Sequence, residues 1–177
     1  LCVEAGAKTG LCEVDETTLS YLKEQGREPV AVLNPDADAD YEEVFEIDLS
    51  EIRPIVAKPH FVDNVVPAEE CSGIPIDEAF LGSCNNGRIE DLRVGAELLR
   101  GRKVADSVRF LVVPASRAVY EEALREGLLK IFMDAGAIVM NPNCSVCWGS
   151  CQGVIGEGET LISTGTRNFK GRSGHKD

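Results

Sequence analysis

The sequence predicts an α/β fold built on a parallel sheet with helices on both faces. Mostly apolar runs of strand length recur in the second half of the chain, such as residues 108–113 (VRFLVV), in which Arg109 is the one charged residue. Strands of this composition are typical of sheets that are covered on both sides. Between these runs apolar residues recur at helical spacing, as over residues 89–99. Strand and helix therefore alternate, which is the pattern that produces a parallel sheet.

The first 75 residues are less regular, and we expect them to form part of a preceding α/β domain and a linker. Asp15 is a typical helix N-cap and Gly26 a typical helix end, which predicts a helix over 16–25. Alternating apolar and acidic residues predict a half-buried strand over 44–49. The other predictions are a helix end over 1–10, a loop over 34–41, an edge strand over 52–57 and a turn-rich linker over 59–75.

Residues 76–177 are predicted to form a second α/β domain. Its predicted strands are 76–81, 108–113, 137–140 and 160–163, and its predicted helices are 89–99, 117–125 and 128–134. Because ligand sites in open parallel sheets gather at the carboxyl ends of the strands, the loops after these strands are the place to look for function.

Composition excludes several classes of protein. The formal net charge of −12 argues against binding to nucleic acid, which requires a basic surface. No apolar run approaches the roughly 20 residues of a membrane span, and no leader pattern is present, so we expect neither a membrane segment nor secretion. Seven cysteines, an odd number with three at metal-type spacing, indicate a reducing compartment and a cytoplasmic location.

Three cysteines lie in two loops rich in glycine and asparagine. Cys84 lies in residues 82–88 (GSCNNGR), and Cys144 and Cys147 form a C-x-x-C motif within residues 141–149 (NPNCSVCWG). Thiolates favour zinc, copper(I) and iron–sulfur clusters, and the spacing alone leaves zinc and iron–sulfur equally open. In a four-iron cluster, three cysteines would leave one iron without a protein ligand.

Two arginines follow the last predicted strand. Arg167 and Arg172 lie with Lys170 and Lys176 in a local basic stretch of an otherwise acidic chain. A guanidinium group binds a carboxylate through two parallel hydrogen bonds, so two such groups can fix a di- or tricarboxylate in one orientation. Both cysteine loops and the arginine loop follow predicted strands, which predicts that they meet at one edge of the sheet.

The motifs GSCNNGRIEDL (82–92), CSVC (144–147) and STGTRNFKGR (163–172), with PHFVDNV (59–65) and PAS (114–116), resemble the aconitase superfamily. Within it they look closest to the branch of the 3-isopropylmalate dehydratase large subunits and the homoaconitases. The resemblance runs end to end and implies an aconitase-like fold, with residues 76–177 binding the cluster and the substrate. We also expect the chain to be an internal part of a longer subunit, because its first and last residues resemble mid-protein segments.

The resemblance implies a hydro-lyase that isomerises 2-isopropylmalate and 3-isopropylmalate in leucine biosynthesis. It implies a [4Fe-4S] cluster bound by Cys84, Cys144 and Cys147, and substrate carboxylates bound by Arg167 and Arg172. Its partners would be a hydroxy dicarboxylic acid and a small subunit that supplies the proton-abstracting serine. No acid–base residue is predicted in this chain, and on its own the chain is expected to be inactive.

Alternatives remain open from the sequence. Thr166 and Asn85 replace residues that are frequent in the family, so homoaconitase or a related hydro-lyase is the first alternative. A non-catalytic, iron-sensing cluster protein and a structural zinc domain are the others. The remaining cysteines are predicted to serve packing; they are Cys2, Cys12, Cys71 and Cys151.

Overall fold

The structure is a computed structural model that describes residues 2, 5–29 and 31–176. The chain divides into two compact units, Leu1–Ile52 and Arg53–Asp177. Residues 53–75, which the sequence placed with the first part of the chain, therefore group with the second unit. No helix in the described part of the chain has the length and apolar character needed to cross a bilayer.

The first unit contains one α-helix, α1 (Glu16–Glu24), within its described residues. The carboxylate of Asp15 accepts a hydrogen bond of 2.7 Å from the backbone N–H of Thr18, so Asp15 is the N-cap and the predicted helix is confirmed. A 3-10 turn, Leu49–Glu51, lies near the end of the unit.

Two other predictions for the first unit are not confirmed by the structure. The strand predicted over 44–49 is wrong, because residues 44–48 are irregular and exposed; Phe45, for example, is 75% exposed. The helix end predicted over 1–10 falls partly on residues 1, 3 and 4, which lie outside the described residues. The rest of that segment forms turns and irregular structure.

The second unit begins with a small antiparallel hairpin. Strand β1 (Ile55–Ala57) pairs with β2 (Val65–Pro67), and a 3-10 turn, Ala68–Cys71, follows. The sequence predicted the first strand, although it began that strand three residues too early. It missed β2, which lies within the segment predicted to be a linker.

A four-stranded parallel sheet forms the centre of the second unit. Its strands are β3 (Glu78–Gly82), β4 (Arg109–Val113), β5 (Ile138–Val139) and β6 (Leu161–Ser163). Its helices are α2 (Ser83–Asn86), α3 (Ile89–Leu99), α4 (Arg117–Arg125) and α5 (Leu128–Ala135). The predicted α/β class is confirmed, and all four predicted strands of this region are present.

The two faces of the sheet bury different side chains, because successive residues of a strand point to opposite sides. One face packs Val112 against Leu92, Leu129, Phe132 and other apolar residues of α3–α5. On the opposite face Phe80, Leu111 and Val113 pack against Met140, Val146 and Leu161. Helices α3–α5 therefore cover one face, whereas on the second face the packing comes from the segment around Val146, which forms a 3-10 turn, Ser145–Cys147, and no described α-helix.

The strand order is β5-β4-β3-β6. The chain moves outward from β3 to β5 and then returns to place β6 on the free side of β3. Such a reversal leaves a crevice at the carboxyl ends of β3 and β6, the kind of place where ligands bind in open parallel sheets. The loop with Cys84 and the loop with Arg167 follow these two adjacent strands.

Candidate functional site

The carboxyl edge of the sheet carries every residue that the sequence singled out for function. Cys84 lies in α2 directly after β3, and Cys144 and Cys147 follow β5. Arg167 and Arg172 lie in the loop after β6, residues 164–172, which we call the arginine loop. Both arginines are half-buried.

The Cys84 loop is packed tightly against the end of β4. A Cβ atom added to Gly82 or Gly87 would overlap the carbonyl oxygen of Val113, so neither position accepts a larger residue without movement. Between them Ser83 is buried and has a φ of 70°, which is unfavourable for a residue with a side chain. Cys84 itself is exposed.

The C-x-x-C loop has a similar construction. Ser145, between the two cysteines, is buried and has a φ of 42°. Its N–H donates to Oδ1 of Asn143 (2.6 Å) and its hydroxyl donates to the carbonyl of Gln152 (2.7 Å). Cys144 is exposed and Cys147 is half-buried. A strained serine therefore lies next to a candidate ligand in both cysteine loops, and strain of this kind is typical of functional sites.

The arginine loop contacts both cysteine loops. Thr164 accepts a hydrogen bond at its hydroxyl from the N–H of Gly82 (3.1 Å) and a second at its carbonyl from the side-chain amide of Asn86. At the other end, Nε of Arg172 donates to the carbonyl of Cys147 (2.7 Å). These contacts join the three segments into one structure.

Arg172 is also held by an aromatic ring. Its guanidinium carbon lies 4.7 Å from the centre of the Trp148 ring, which is cation–π distance. Because Nε donates to Cys147 and one face of the guanidinium lies against Trp148, the side chain is oriented before any ligand arrives. The sequence did not indicate Thr164 or Trp148, since no local pattern marks such long-range contacts.

The chemistry of the donor set fits an iron–sulfur cluster. All three cysteines are free thiols, and the closely packed glycines bring backbone near them, where N–H groups can tune a cluster. Among the described residues, no group of three or more His, Cys, Asp or Glu side chains converges so as to hold a metal ion. In a cubane cluster each cysteine binds a different iron. The assignment of Cys84, Cys144 and Cys147 as its ligands stays a prediction.

The packing role predicted for the other cysteines is wrong in three of four cases. Cys2, Cys12 and Cys151 are exposed, and only Cys71 is half-buried. Cys151 therefore offers a thiol at the surface four residues beyond Cys147.

The main charge network lies at the opposite, amino edge of the sheet. Glu78 is fully buried and accepts from Nε of Arg109 (3.0 Å), whose other nitrogens bind Glu159 through two bonds of 2.7 and 2.6 Å. Burial raises the pKa of Glu78, although Arg109 opposes this. Hydrogen bonds from Arg109 and from the N–H of Gly156 lower the pKa of Glu159 to about 2.

Comparison with known proteins places this architecture in a family. The model of the Aconitase family (aconitate hydratase) matches residues 1–73 and 67–177. The chain belongs to the aconitase family. The family predicted from the cysteine and arginine motifs is therefore confirmed.

Within the aconitase family the chain is similar to 3-isopropylmalate dehydratase large subunits. The probable subunit of Methanothermobacter thermautotrophicus is 52% identical over 174 residues, which cover 98% of this chain and 42% of that protein. The subunit of Caldicellulosiruptor saccharolyticus is 48% identical over 176 residues, 99% of this chain and 41% of that protein. For large subunit 1 of Methanopyrus kandleri the values are 48% over 177 residues, 100% and 42%. The chain thus spans about two-fifths of the length of these relatives.

Proposed function

We propose that this chain is part of the large subunit of an iron–sulfur hydro-lyase that interconverts 2-isopropylmalate and 3-isopropylmalate, a step of leucine biosynthesis. The observation that carries the proposal is the contact of one arginine loop with both cysteine loops, through Thr164 and Arg172. Groups suited to a metal cluster and groups suited to carboxylates thereby share one edge of the sheet. The names of the similar proteins agree with this chemistry.

Cys84, Cys144 and Cys147 would hold a [4Fe-4S] cluster in this enzyme. When bound, such a cluster with three cysteine ligands supplies a Lewis-acidic iron that polarises the C–O bond of a hydroxy acid. The thiols are on loops whose backbone is fixed by Gly82, Gly87 and Ser145. Fixed loops keep the ligands in place whether or not substrate is present.

Arg167 and Arg172 would bind the carboxylates of the substrate. Nε of Arg172 already donates to Cys147, which leaves its two terminal nitrogens for a carboxylate in a bidentate arrangement. Trp148 holds the plane of that guanidinium. Two cations on an acidic chain of net charge −12 would select a small dianion and set which of its carbons faces the cluster.

The reaction is balanced without any redox step. Water leaves the hydroxy diacid to give an alkene diacid, and water then adds back with hydrogen and hydroxyl exchanged between the two carbons. No residue of this chain is assigned to removing the proton. We assign proton removal to a small-subunit partner and to other parts of the large subunit. We also propose that the enzyme works in the reducing environment of the cytoplasm.

Iron and acid-labile sulfide analysis after anaerobic reconstitution tests the proposal. The variants are Cys147→Ser and, as the matched control, Cys151→Ser, four residues away and equally a free thiol. We expect about four irons and four sulfides in wild type and control, and loss of both in Cys147→Ser.

The same preparations, completed with the rest of the large subunit and the small subunit, should isomerise 2-isopropylmalate unless Cys147 is replaced. Zinc without sulfide would reject the proposal, and so would an iron content that does not depend on Cys147.

A further inference from the structure

The arginine loop has a second support, away from the cysteine loops. The side-chain amide of Asn168, the residue after Arg167, reaches the turn of the β1–β2 hairpin. Its Nδ2 lies 2.8 Å from the carbonyl oxygen of Lys58, 3.1 Å from that of Phe61 and 3.2 Å from that of Ala57. These contacts connect parts of the chain that are 107 to 111 residues apart.

The three carbonyl oxygens decide which end of the amide faces the hairpin. A carbonyl only accepts hydrogen bonds, so the NH2 group must lie among them. The Oδ1 of Asn168 is buried and accepts no hydrogen bond from the described part of the chain. A buried oxygen without a hydrogen bond is unfavourable, and the three contacts of Nδ2 offset that cost. Asparagine is therefore specific here, because aspartate would place a second oxygen against the carbonyls.

A backbone contact next to Asn168 supports the same junction. Phe169 forms a parallel β-bridge with His60 in the hairpin turn, and its carbonyl accepts from the N–H of Arg172 (2.8 Å). The arginine loop is thus seated on the hairpin through Asn168 and Phe169 and on the cysteine loops through Thr164 and Arg172.

We propose that Asn168 is a positioning residue, and that the hairpin turn, residues 58–61, is the seat that sets where Arg167 and Arg172 meet the carboxylates of the substrate. This rests on the proposed function of the arginine loop. This turn, of which the sequence assigned residues 59–61 to a linker, becomes part of the substrate-binding machinery. Without the seat, both guanidinium groups keep their charge but lose their common orientation.

Asn168→Asp tests the proposal, with Asn34→Asp as its matched control. Asn34 lies in the first unit, outside the hairpin and the arginine loop, and its Oδ1 accepts from the N–H of Val14 (3.4 Å), as a carboxylate oxygen would also do. In the complete enzyme we expect kcat/KM to fall roughly tenfold to a hundredfold in Asn168→Asp, mainly through KM, because small misplacements of binding groups are costly. We expect a change of less than about twofold in the control.

Hydrogen exchange gives a second readout that does not depend on turnover. The amide of Arg172 should exchange faster in Asn168→Asp than in Asn34→Asp, with the iron and sulfide content of both equal to wild type. Asn168→Ala, which removes the bonds without adding charge, is made beside them in case the aspartate variant does not fold.

Each outcome decides between the proposals. An inactive wild-type enzyme would reject the proposed function, while exchange at Arg172 would still test the seat. An active wild type with equal kinetics and exchange in the Asn168 and Asn34 variants would overturn the positioning role. It would also be overturned if both Asn168 variants failed to fold while Asn34→Asp folded, since Asn168 would then serve the whole fold.

Discussion

At the amino edge of the four-stranded sheet a buried carboxylate is paired within an ionic network, whereas at the carboxyl edge two of the three candidate thiols are exposed and the backbone beside them is strained. Glu78, Arg109 and Glu159 form one ionic network across the starts of β3 and β4 and the segment before β6. Beyond the carboxyl ends of β3 and β5, Ser83 and Ser145 have positive φ angles. One sheet thus supports two opposite kinds of structure.

The difference shows how a small sheet divides its tasks. The ionic network ties the segment before β6 to the starts of β3 and β4. At the carboxyl edge the sheet carries loops whose conformation is unfavourable in isolation, and it can do so because the packing around them is fixed. Stability and function are therefore separable by mutation, edge by edge.

Removing the central cation of the amino edge should have the largest effect on stability. Arg109→Met leaves Glu78 buried without a partner, and we expect a loss of roughly 3 kcal/mol in the free energy of unfolding, because an unpaired buried carboxylate is costly. Arg93→Met is the control: Arg93 also pairs with two glutamates, but its partners are partly exposed, and we expect less than about 1 kcal/mol. Denaturant unfolding measures both, and equal losses would show that burial of Glu78 does not matter.

Acid should weaken the amino edge through Glu159. The pKa of Glu159 is lowered from 4.5 to about 2, so its contribution to stability is present above pH 4.5 and is lost as the pH falls toward 2. Glu159→Gln should therefore lose less stability than wild type over this range. The raised pKa of Glu78 acts with the opposite sign, because it favours the folded state at low pH.

The control for the acid experiment is Glu157→Gln, an exposed neighbour of Glu159. Thermal unfolding between pH 5 and pH 2 compares the slopes of stability against pH. A Glu159→Gln slope that matches both wild type and control would contradict the role given to the pair of Glu159 with Arg109.

Relief of strain at the carboxyl edge should have the smallest effect, and a favourable one. Ser83→Gly places a residue without a side chain at a φ of 70°. We expect a gain of about 1 kcal/mol, the strain released less the backbone entropy that glycine loses on folding. Ser83→Ala keeps the strain and should not gain. A loss of stability in the glycine variant would show that the left-handed backbone at Ser83 carries no strain.

Regular elements of the second unit were predictable because their signals are local. Helix α3 has the predicted bounds, since its apolar residues follow one helical face. Strand β4 is apolar from Phe110 to Val113. The alternation of apolar and acidic residues over 44–49 wrongly predicted a strand. A strand also needs a partner, and residues 44–48 pair with none of the described residues. Strand β2 is three residues long in a turn-rich stretch, too short for periodicity to reveal.

The places of the candidate site residues were predictable, whereas the contacts between their loops were not. Spacing and strand ends indicated the cysteines and arginines, whose roles stay a prediction, and the parallel sheet carries their loops on one edge. The contacts that hold the site do not follow from local sequence: Thr164 meets Gly82 and Asn168 meets the hairpin across 82 and more residues. A serine does not indicate a left-handed backbone either, since glycine and asparagine are the usual residues in that conformation.

Trp148, which lies against Arg172, is the only tryptophan of the chain. It follows Cys147 directly and is 58% exposed. Tryptophan fluorescence of this chain therefore has a single origin, at the junction of a cysteine loop and the arginine loop. The protein carries its own optical probe at the carboxyl edge, and that probe lies far along the strands from the ionic network at the other edge.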